Sequence, residues 1–383
     1  MLDYDVVIVG AGPAGCMCAY SAKKNAPSLR ILLIDKASFP REKSCGGVLK
    51  EEAYDFLTNT LKLSIPEHVY TSPKNLDVLY LDWDTNFEFV QKRAFINIDR
   101  KVFDSWLLSL VNKSVQISES TKLSSFEVSK EYVHLTLSQE EKTYKLNTRF
   151  LVDASGGKSQ IRRDFGMHHI SRRVTIQKFI KPNQTIDKFH AIWDSTITDM
   201  VCWLIPENGL LICSAALVGD ASPKEKFSAF SEKLVSKFSL SGTEVKREGD
   251  LICGPISRRG ICLGNEKVLI AGEAAGMVSP LSGDGITSAL MSGYFLGRAL
   301  DKPNVRKEYK RLAVKIINSL TKDIFMYNVL KDKEARLKLF TALEAEEKKE
   351  KEKRKGMKRL ALSKVGIPTI IRSGMKTLGL TAD

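Results

Sequence analysis

Apolar and polar residues follow two different periods along this chain, and the change between them predicts its elements. Residues 5–9 form an apolar run too short for a helix, which predicts a buried strand. Residues 16–25 predict a helix that ends before Pro27, and residues 30–34 predict a second buried strand. A strand, a helix and a strand in this order indicate an α/β fold that begins with a nucleotide-binding type of unit.

The rest of the pattern predicts a mixture of sheet and helix. In the first half we expect a helix over 51–61, two strands of a separate sheet within 74–90, a helix from about Arg100 and an antiparallel meander over 115–151. After that we expect strands within 172–218 and a helix over 223–237. A buried strand and a long helix of small residues are expected within 268–300, and further helix from 304 onward.

These elements predict three regions along the chain. We expect a discontinuous nucleotide-binding domain over 1–65, 95–165 and 250–300, a β-sheet domain over 66–94 and 166–249, and a basic helical C-terminal region over 301–383.

Charge separates the last region from the rest. The chain of 383 residues has a formal net charge of +14, and residues 301–383 hold 22 Lys+Arg against 11 Asp+Glu. A basic amphipathic segment near the C-terminus is compatible with a solvated helix or with an anionic membrane surface. We find no nucleic-acid-binding motif beside it.

Cysteine usage and hydropathy bound the compartment. Seven cysteines without framework spacing favour a reducing environment. The chain enters its first strand at once and has no apolar run of eighteen residues, so we expect a cytoplasmic protein without a membrane span, or one bound peripherally to a membrane. The five histidines show no metal-ligand spacing, and we predict no metal site.

The glycine-rich turn after the first strand carries the clearest chemistry. Gly10, Gly12 and Gly15 have G-x-G-x-x-G spacing, and Asp35 ends the second strand. Such glycines permit a tight turn, close approach of a pyrophosphate and close packing of the helix, and the acid accepts hydrogen bonds from a ribose. The alternative is a glycine-rich turn without a ligand.

Further motifs occur in the order found in one flavoprotein family. They are GAGPAG (10–15), DKASFPREKSCGG (35–47), IDRKVFD (98–104), DASGGKSQIRR (153–163), CWLIP (202–206) and AGEAAGMVSPLSGDGI (271–286). With these motifs, residues 4–300 resemble the family of para-hydroxybenzoate hydroxylase, and within it the geranylgeranyl reductase branch. The resemblance implies a Rossmann-type FAD-binding domain, a β-sheet substrate domain and a C-terminal helical tail.

The resemblance also implies a set of FAD-binding residues. They are Gly10, Gly12, Pro13, Ala14, Gly15, Asp35, Lys36, Cys45, Gly46, Gly47, Arg100, Gly272, Glu273, Gly283, Gly285 and Ile286. Glu273 stands where the family has Asp, and we expect its carboxylate on the ribityl and pyrophosphate side of FAD. Free N–H groups at the start of the helix after Gly285 are expected to face the flavin ring.

Cys45 is the candidate catalytic residue, as a proton donor or a modulator of the flavin, with Arg41 and Lys43 as neighbouring cations. A packing cysteine is the alternative. Ser155 replaces the Asp of a motif that serves NADPH in hydroxylases.

Val201, Trp203, Ile205 and Pro206 stand where the reductase branch has its lipid-pocket signature, and two of the four residues match. Three of the four match the Trp-x-Trp-x-Ile-Pro signature of flavin-dependent halogenases. Plain core packing is a further alternative.

We therefore predict an FAD-dependent oxidoreductase that reduces carbon–carbon double bonds of an isoprenoid lipid, with NAD(P)H or ferredoxin as the external electron donor. The alternatives are a flavin-dependent monooxygenase or halogenase, for which we can assign no halogen-carrying lysine, and a membrane-associated flavin-binding protein without turnover.

Overall fold

Two β-sheets, joined by helices, organise the chain. This computed structural model describes residues 1–111, 113–219, 222–342 and 345. The strands are β1 (Tyr4–Val9), β2 (Ile31–Ile34), β3 (Val48–Lys50), β4 (Tyr70–Asp82), β5 (Phe87–Ile98), β6 (Gln116–Ser118), β7 (Thr121–Val128), β8 (Val133–Gln139), β9 (Lys142–Asp153), β10 (Ile170–Pro182), β11 (Phe189–Trp193), β12 (Val201–Glu207), β13 (Leu210–Val218), β14 (Gly242–Pro255) and β15 (Val268–Ile270).

The α-helices follow the predicted pattern in most places. They are α1 (Pro13–Asn25), α2 (Glu51–Asp55), α3 (Arg100–Ser109), α4 (Ile161–Asp164), α5 (Pro223–Phe238), α6 (Ile286–Ala299) and α7 (Val305–Leu330). The predicted helix over 51–61 is α-helical only to Asp55 and continues as a π-helix over Phe56–Thr60. A final helical stretch covers 333–342.

The first sheet confirms the Rossmann-type expectation. Its order is β6-β2-β1-β9-β8-β7, with β15 beside β9. Strand β1 pairs in parallel with β2 and with β9. Strands β7, β8 and β9 form the predicted antiparallel meander. Because Val6, Val7 and Ile8 of β1 are fully buried, the apolar run in the sequence is a core strand.

Helix α6 packs closely on α1 and fixes the far segment of the chain beside the first turn. A Cβ at Gly293 would collide with the carbonyl of Ala14, and one at Gly297 would collide with the carbonyl of Cys18. The small residues of α6 therefore serve helix–helix contact, which brings residues 272–286 next to residues 10–15.

The second sheet has the order β14-β10-β13-β12-β11-β4-β5-β3. Helix α5 covers one face, where Phe230 and Leu234 pack against Leu204. The other face is directed at the turns that contain Gly46 and Gly283. Strand β3, which lies within 1–65, joins this second sheet, and the domain boundaries given above remain a prediction.

The C-terminal helices pack on both halves of the molecule. Ile316 and Leu320 of α7 belong to the core under the first sheet. Met326 and Leu330 pack with Leu339 and Phe340 against the second sheet. The described part of this region is therefore built into the fold, while the charge run and the amphipathic segment expected after it lie outside the described residues.

Candidate active site

The three glycines of the first turn meet different neighbours. Gly10 has φ of +102°, and a Cβ there would collide with the carbonyl of Ala154. A Cβ at Gly15 would collide with the carbonyl of Gly10. A Cβ at Gly12 would meet only the Arg41 guanidinium, at 3.3 Å. The fold therefore requires glycine at positions 10 and 15. At Gly12 the absence of a side chain instead leaves the backbone at the start of α1 accessible to a ligand.

This opening has a positive charge. Helix α1 has no acidic residue in its first turn and no side chain capping its N–H groups. Arg41 and Arg100 share the single carboxylate of Asp104, which is buried, at 3.1 and 3.0 Å. Two guanidiniums on one carboxylate leave a net positive charge beside free N–H groups, which is what a pyrophosphate requires.

Asp35 lies where the ribose is expected. Its Oδ2 accepts from the Ala11 amide at 2.8 Å, and its Oδ1 accepts from the Ala37 amide at 2.9 Å. Each oxygen keeps a further acceptor position for a hydroxyl. Lys36 beside it is exposed. Pro13 and Ala14 are buried, so the fold explains both without a ligand.

The cation beside Cys45 differs from the sequence-based expectation. The Arg100 guanidinium lies beside the Cys45 sulfur and donates to Asp104. Burial lowers the pKa of Arg100, but Asp104 and then Cys45 raise it above its usual value. Arg41 pairs with Asp104, and Lys43 pairs with Asp250 at 2.5 Å, so neither is the partner of the thiol. The two predicted residues Cys45 and Arg100 are therefore brought together.

Glu273 is largely engaged by the protein itself. Its Oε1 accepts from the Cys253 amide at 3.0 Å, and the Gly157 amide also donates to the carboxylate. Burial raises the pKa of this carboxyl. The longer side chain thus joins three segments, and any contact with FAD would use its remaining acceptor positions. Gly272, with φ of +63°, lets this turn approach Ala14.

The start of α6 is capped, and the expectation of free N–H groups is wrong for two of them. Asp284 Oδ1 accepts from the Ile286 amide at 3.1 Å and from the Thr287 amide at 3.3 Å. The Thr287 hydroxyl is buried without a hydrogen-bond partner among the described residues. An orphaned donor in this turn fits a bound polar group.

Strand β12 places apolar side chains in contact with the two predicted flavin loops, residues 35–47 and 271–286. The Trp203 ring lies 3.2 Å from the position of a Cβ on Gly283. The Ile205 Cδ1 touches Gly46 so closely that a Cβ there would collide with it. Val201 lies on the same face and packs against α7. Strand alternation puts the Pro206 side chain on the opposite face, and the Pro206 backbone carbonyl accepts from the Asn97 side-chain amide at 2.6 Å.

Comparison with known proteins agrees with this geometry. The model of the family described as FAD binding domain matches residues 3–306. The chain belongs to this FAD-binding family. FAD is accordingly its cofactor, and the glycine turn, the Arg41–Asp104–Arg100 group and the orphaned Thr287 hydroxyl fit it.

The flavoprotein resembles curated and solved proteins over most of its length. Protein CbrA of Escherichia coli O6:H1 (strain CFT073) is 28% identical over 338 residues, which cover 84% of this chain and 90% of that protein. A geranylgeranyl bacteriochlorophyll reductase-like protein from Thermoplasma acidophilum has a TM-score of 0.80 at 15% identity, covering 98% of both chains. CmlS, a flavin-dependent halogenase, has a TM-score of 0.66 at 17% identity, covering 90% of this chain and 65% of CmlS.

These likenesses confirm the predicted fold, and the family model makes the chain an FAD-binding flavoprotein. The Escherichia coli relative is named CbrA and not geranylgeranyl reductase, so the finer assignment is a proposal that depends on the site. At these identities the structural neighbours show the fold alone.

Asp250 is a site residue of the flavoprotein that the sequence did not reveal. It accepts from Lys43 at 2.5 Å and forms an ion pair with Lys158 at 2.7 Å. Burial raises the pKa of this carboxyl, but hydrogen bonds from Lys158 and Lys43 outweigh it and lower the pKa to about 2. Asp250 on β14 therefore connects two loops, one through Lys43 near Cys45 and the other through Lys158 beside Gly157. No local motif predicts this contact, because Asp250 lies far from both lysines in sequence.

The described part of the flavoprotein gives two further findings. No group of three or more His, Cys, Asp or Glu side chains within it is arranged to hold a metal ion. None of its helices is long and apolar enough to cross a bilayer.

Proposed function

We propose that this flavoprotein reduces carbon–carbon double bonds of an apolar, isoprenoid-type lipid. The observation that carries the proposal is the contact of β12 with both flavin loops: Trp203 lies on Gly283, and Ile205 lies on Gly46. An apolar chain held along this strand would lie against the ring of the cofactor. The Thermoplasma acidophilum neighbour, which is described as geranylgeranyl bacteriochlorophyll reductase-like, supports the same substrate class.

The reaction adds a hydride and a proton across one double bond. Bound FAD, reduced by an external donor, supplies the hydride. The protein's own residues hold and orient the reactants. Trp203 and Ile205 exclude water from the alkene, and Arg41 with the start of α1 anchors the pyrophosphate end of the cofactor.

Cys45 is the proton source in this proposal. Its sulfur lies beside the Arg100 guanidinium. In this proposal the thiol gives its proton to the second alkene carbon. Arg100 is itself oriented by Asp104, which fixes its guanidinium beside the sulfur.

The electron donor in this proposal is NAD(P)H or ferredoxin. The Ser155 hydroxyl donates to the buried Asp153 at 2.6 Å, so it is not directed at a docked nucleotide. We further propose a peripheral location on an anionic membrane, through the basic C-terminal segment, where an isoprenoid lipid would be encountered.

An oxygen-dependence experiment tests the proposal. The FAD-loaded protein is reduced with dithionite without oxygen and mixed with a geranylgeranyl lipid. We expect the flavin absorbance to return and mass spectrometry to show two added hydrogens per reduced bond. Product that forms only with oxygen would contradict the reductase proposal. Failure of any prenyl or quinone acceptor to reoxidise the flavin would indicate a flavin-binding protein without turnover.

A flavin-dependent halogenase is the second candidate, because Trp203, Ile205 and Pro206 match that signature and CmlS shares the fold. Lys50 lies near the flavin loop, but its Nζ is 3.4 Å from the Asp284 carboxylate. An ion-paired amine is less available to carry a halogen than a free one. Chlorinated or brominated product that appears only with oxygen and halide would favour this candidate.

A further inference from the structure

We infer that Lys50 is a positioning residue that sets the charge around the flavin ring by holding Asp284. The inference depends on FAD binding alone, and it is independent of the substrate proposed above. Neither the family resemblance nor the sequence pattern assigned Lys50 a role.

Lys50 reaches the flavin loop from the second sheet. It ends β3, five residues after Cys45, and its Nζ donates to the Ser282 hydroxyl at 3.1 Å. The same Nζ lies 3.4 Å from Asp284 Oδ2, with 32% of the lysine side chain and 14% of the aspartate side chain exposed. One oxygen of Asp284 thus faces Lys50, while the other caps α6.

Two further carboxyls face this pair. Burial raises the pKa of Glu52 on α2 and of Asp323 on α7, and the Ser279 hydroxyl donates to Asp323. Burial lowers the pKa of Lys50, but Asp284 and Asp323 outweigh this and raise it. Asp284 is the carboxylate that lies within ion-pair distance of the Lys50 amine, at 3.4 Å.

Because Asp284 caps α6, it brings a negative charge to the start of that helix, and Lys50 offsets this charge. The first amides of α6 would by themselves favour negative charge on a reduced ring. Asp284 occupies two of them. If the flavin ring lies at this helix start, as the family resemblance implies, Asp284 would add a negative charge beside the one that the reduced ring would carry. A cation at 3.4 Å offsets that charge, and charge near the ring is one of the levers by which a protein tunes a flavin.

Two charge-removing variants therefore shift the FAD midpoint potential in opposite directions. Lys50→Met leaves Asp284 unopposed and lowers the potential. Asp284→Asn keeps the capping oxygen but removes the negative charge nearest to the Lys50 amine, and it raises the potential. We expect each variant to change the ratio of reduced to oxidised flavin about tenfold at a fixed potential, which is about 30 mV for a two-electron couple. The double variant returns close to the parent value.

The measurement is dye-coupled spectroscopic titration of the FAD-loaded protein, with circular dichroism to verify folding. Lys233→Met is the matched control, because Lys233 pairs with Asp194 at 2.6 Å on the α5 side of the second sheet. We expect that control to leave the potential unchanged. Shifts of the same sign in both variants, or no shift, would overturn the inference. If Lys50→Met does not fold, Asp284→Asn decides alone, and an unchanged or lower potential in that variant refutes it.

Discussion

At the scale of single residues, the three glycines of the first turn have different roles, which their spacing in the sequence does not distinguish. Gly10 and Gly15 are required by backbone contacts inside the protein, whereas Gly12 faces only the end of the Arg41 side chain. The spacing of the motif is local, so it was predictable from sequence. The distinct roles of its glycines were not, because the carbonyl of Ala154 that restricts Gly10 lies far along the chain.

This difference predicts that Gly12→Ala separates FAD binding from folding. Gly12 has φ of −76°, which alanine adopts without strain, so we expect the apo protein to keep its stability or gain up to about 1 kcal/mol. The added methyl group would occupy the approach to the pyrophosphate and weaken FAD binding at least about tenfold, or about 1.4 kcal/mol. Flavin fluorescence titration and urea unfolding measure the two effects.

Gly219→Ala is the control, since a Cβ there meets nothing within 4 Å. Equal FAD affinity in Gly12→Ala and the parent protein would show that the pyrophosphate does not approach this turn.

Partners of single charged residues were the least predictable part of the site. Arg41 and Lys43 precede Cys45 by four and two residues, yet each pairs with a distant carboxylate, and Arg100 takes the place beside the thiol. Sequence proximity identifies available charges, but the topology of the sheets decides which carboxylate reaches them first.

At the scale of elements, the register of β12 links the two sheets. The sequence predicted strands within 172–218, and the β12 residues Val201, Trp203 and Ile205 share one face. The start of α6 was also recognised, but its amides are not free. Asp284 is one residue before the N-cap, and a carboxylate there competes for the same amides that a ligand would use.

The contact between Gly46 and Ile205 gives a coupled prediction for this element. In Gly46→Ala the new Cβ would collide with the Ile205 Cδ1, so we expect a loss of about 1–3 kcal/mol in unfolding free energy and weaker FAD binding. Ile205→Val removes that methyl group and costs about 0.5–1.5 kcal/mol alone.

The double variant should be more stable than the sum of the two single variants, because each change relieves the other. Urea unfolding of all four proteins measures the coupling. Additive losses would mean that β12 does not lie on the Cys45 loop as described.

At the scale of the whole molecule, the C-terminal helices were predicted as helices, and their docking was missed. Helical spacing in α7 gave the element, but its buried residues divide between two cores that are formed by distant strands. Arg336 would read as one more charge of a basic region. In the structure it is 2% exposed and pairs with Asp82, whose carboxylate lies 2.9 Å away, and with Asp84. A buried ion pair of this kind arises only from the folded topology.

Arg336→Met therefore tests whether the C-terminal helices hold the second sheet in place. The variant leaves Asp82, which is buried, without its cation, and we expect a loss of about 3–5 kcal/mol in unfolding free energy. Lys333→Met removes an exposed charge from the same helical stretch and should change stability by less than about 0.5 kcal/mol. Adding Asp82→Asn to Arg336→Met should recover part of the loss, because no unpaired charge then remains buried at position 82. A small effect of Arg336→Met in urea unfolding would show that this stretch is only loosely attached to β4.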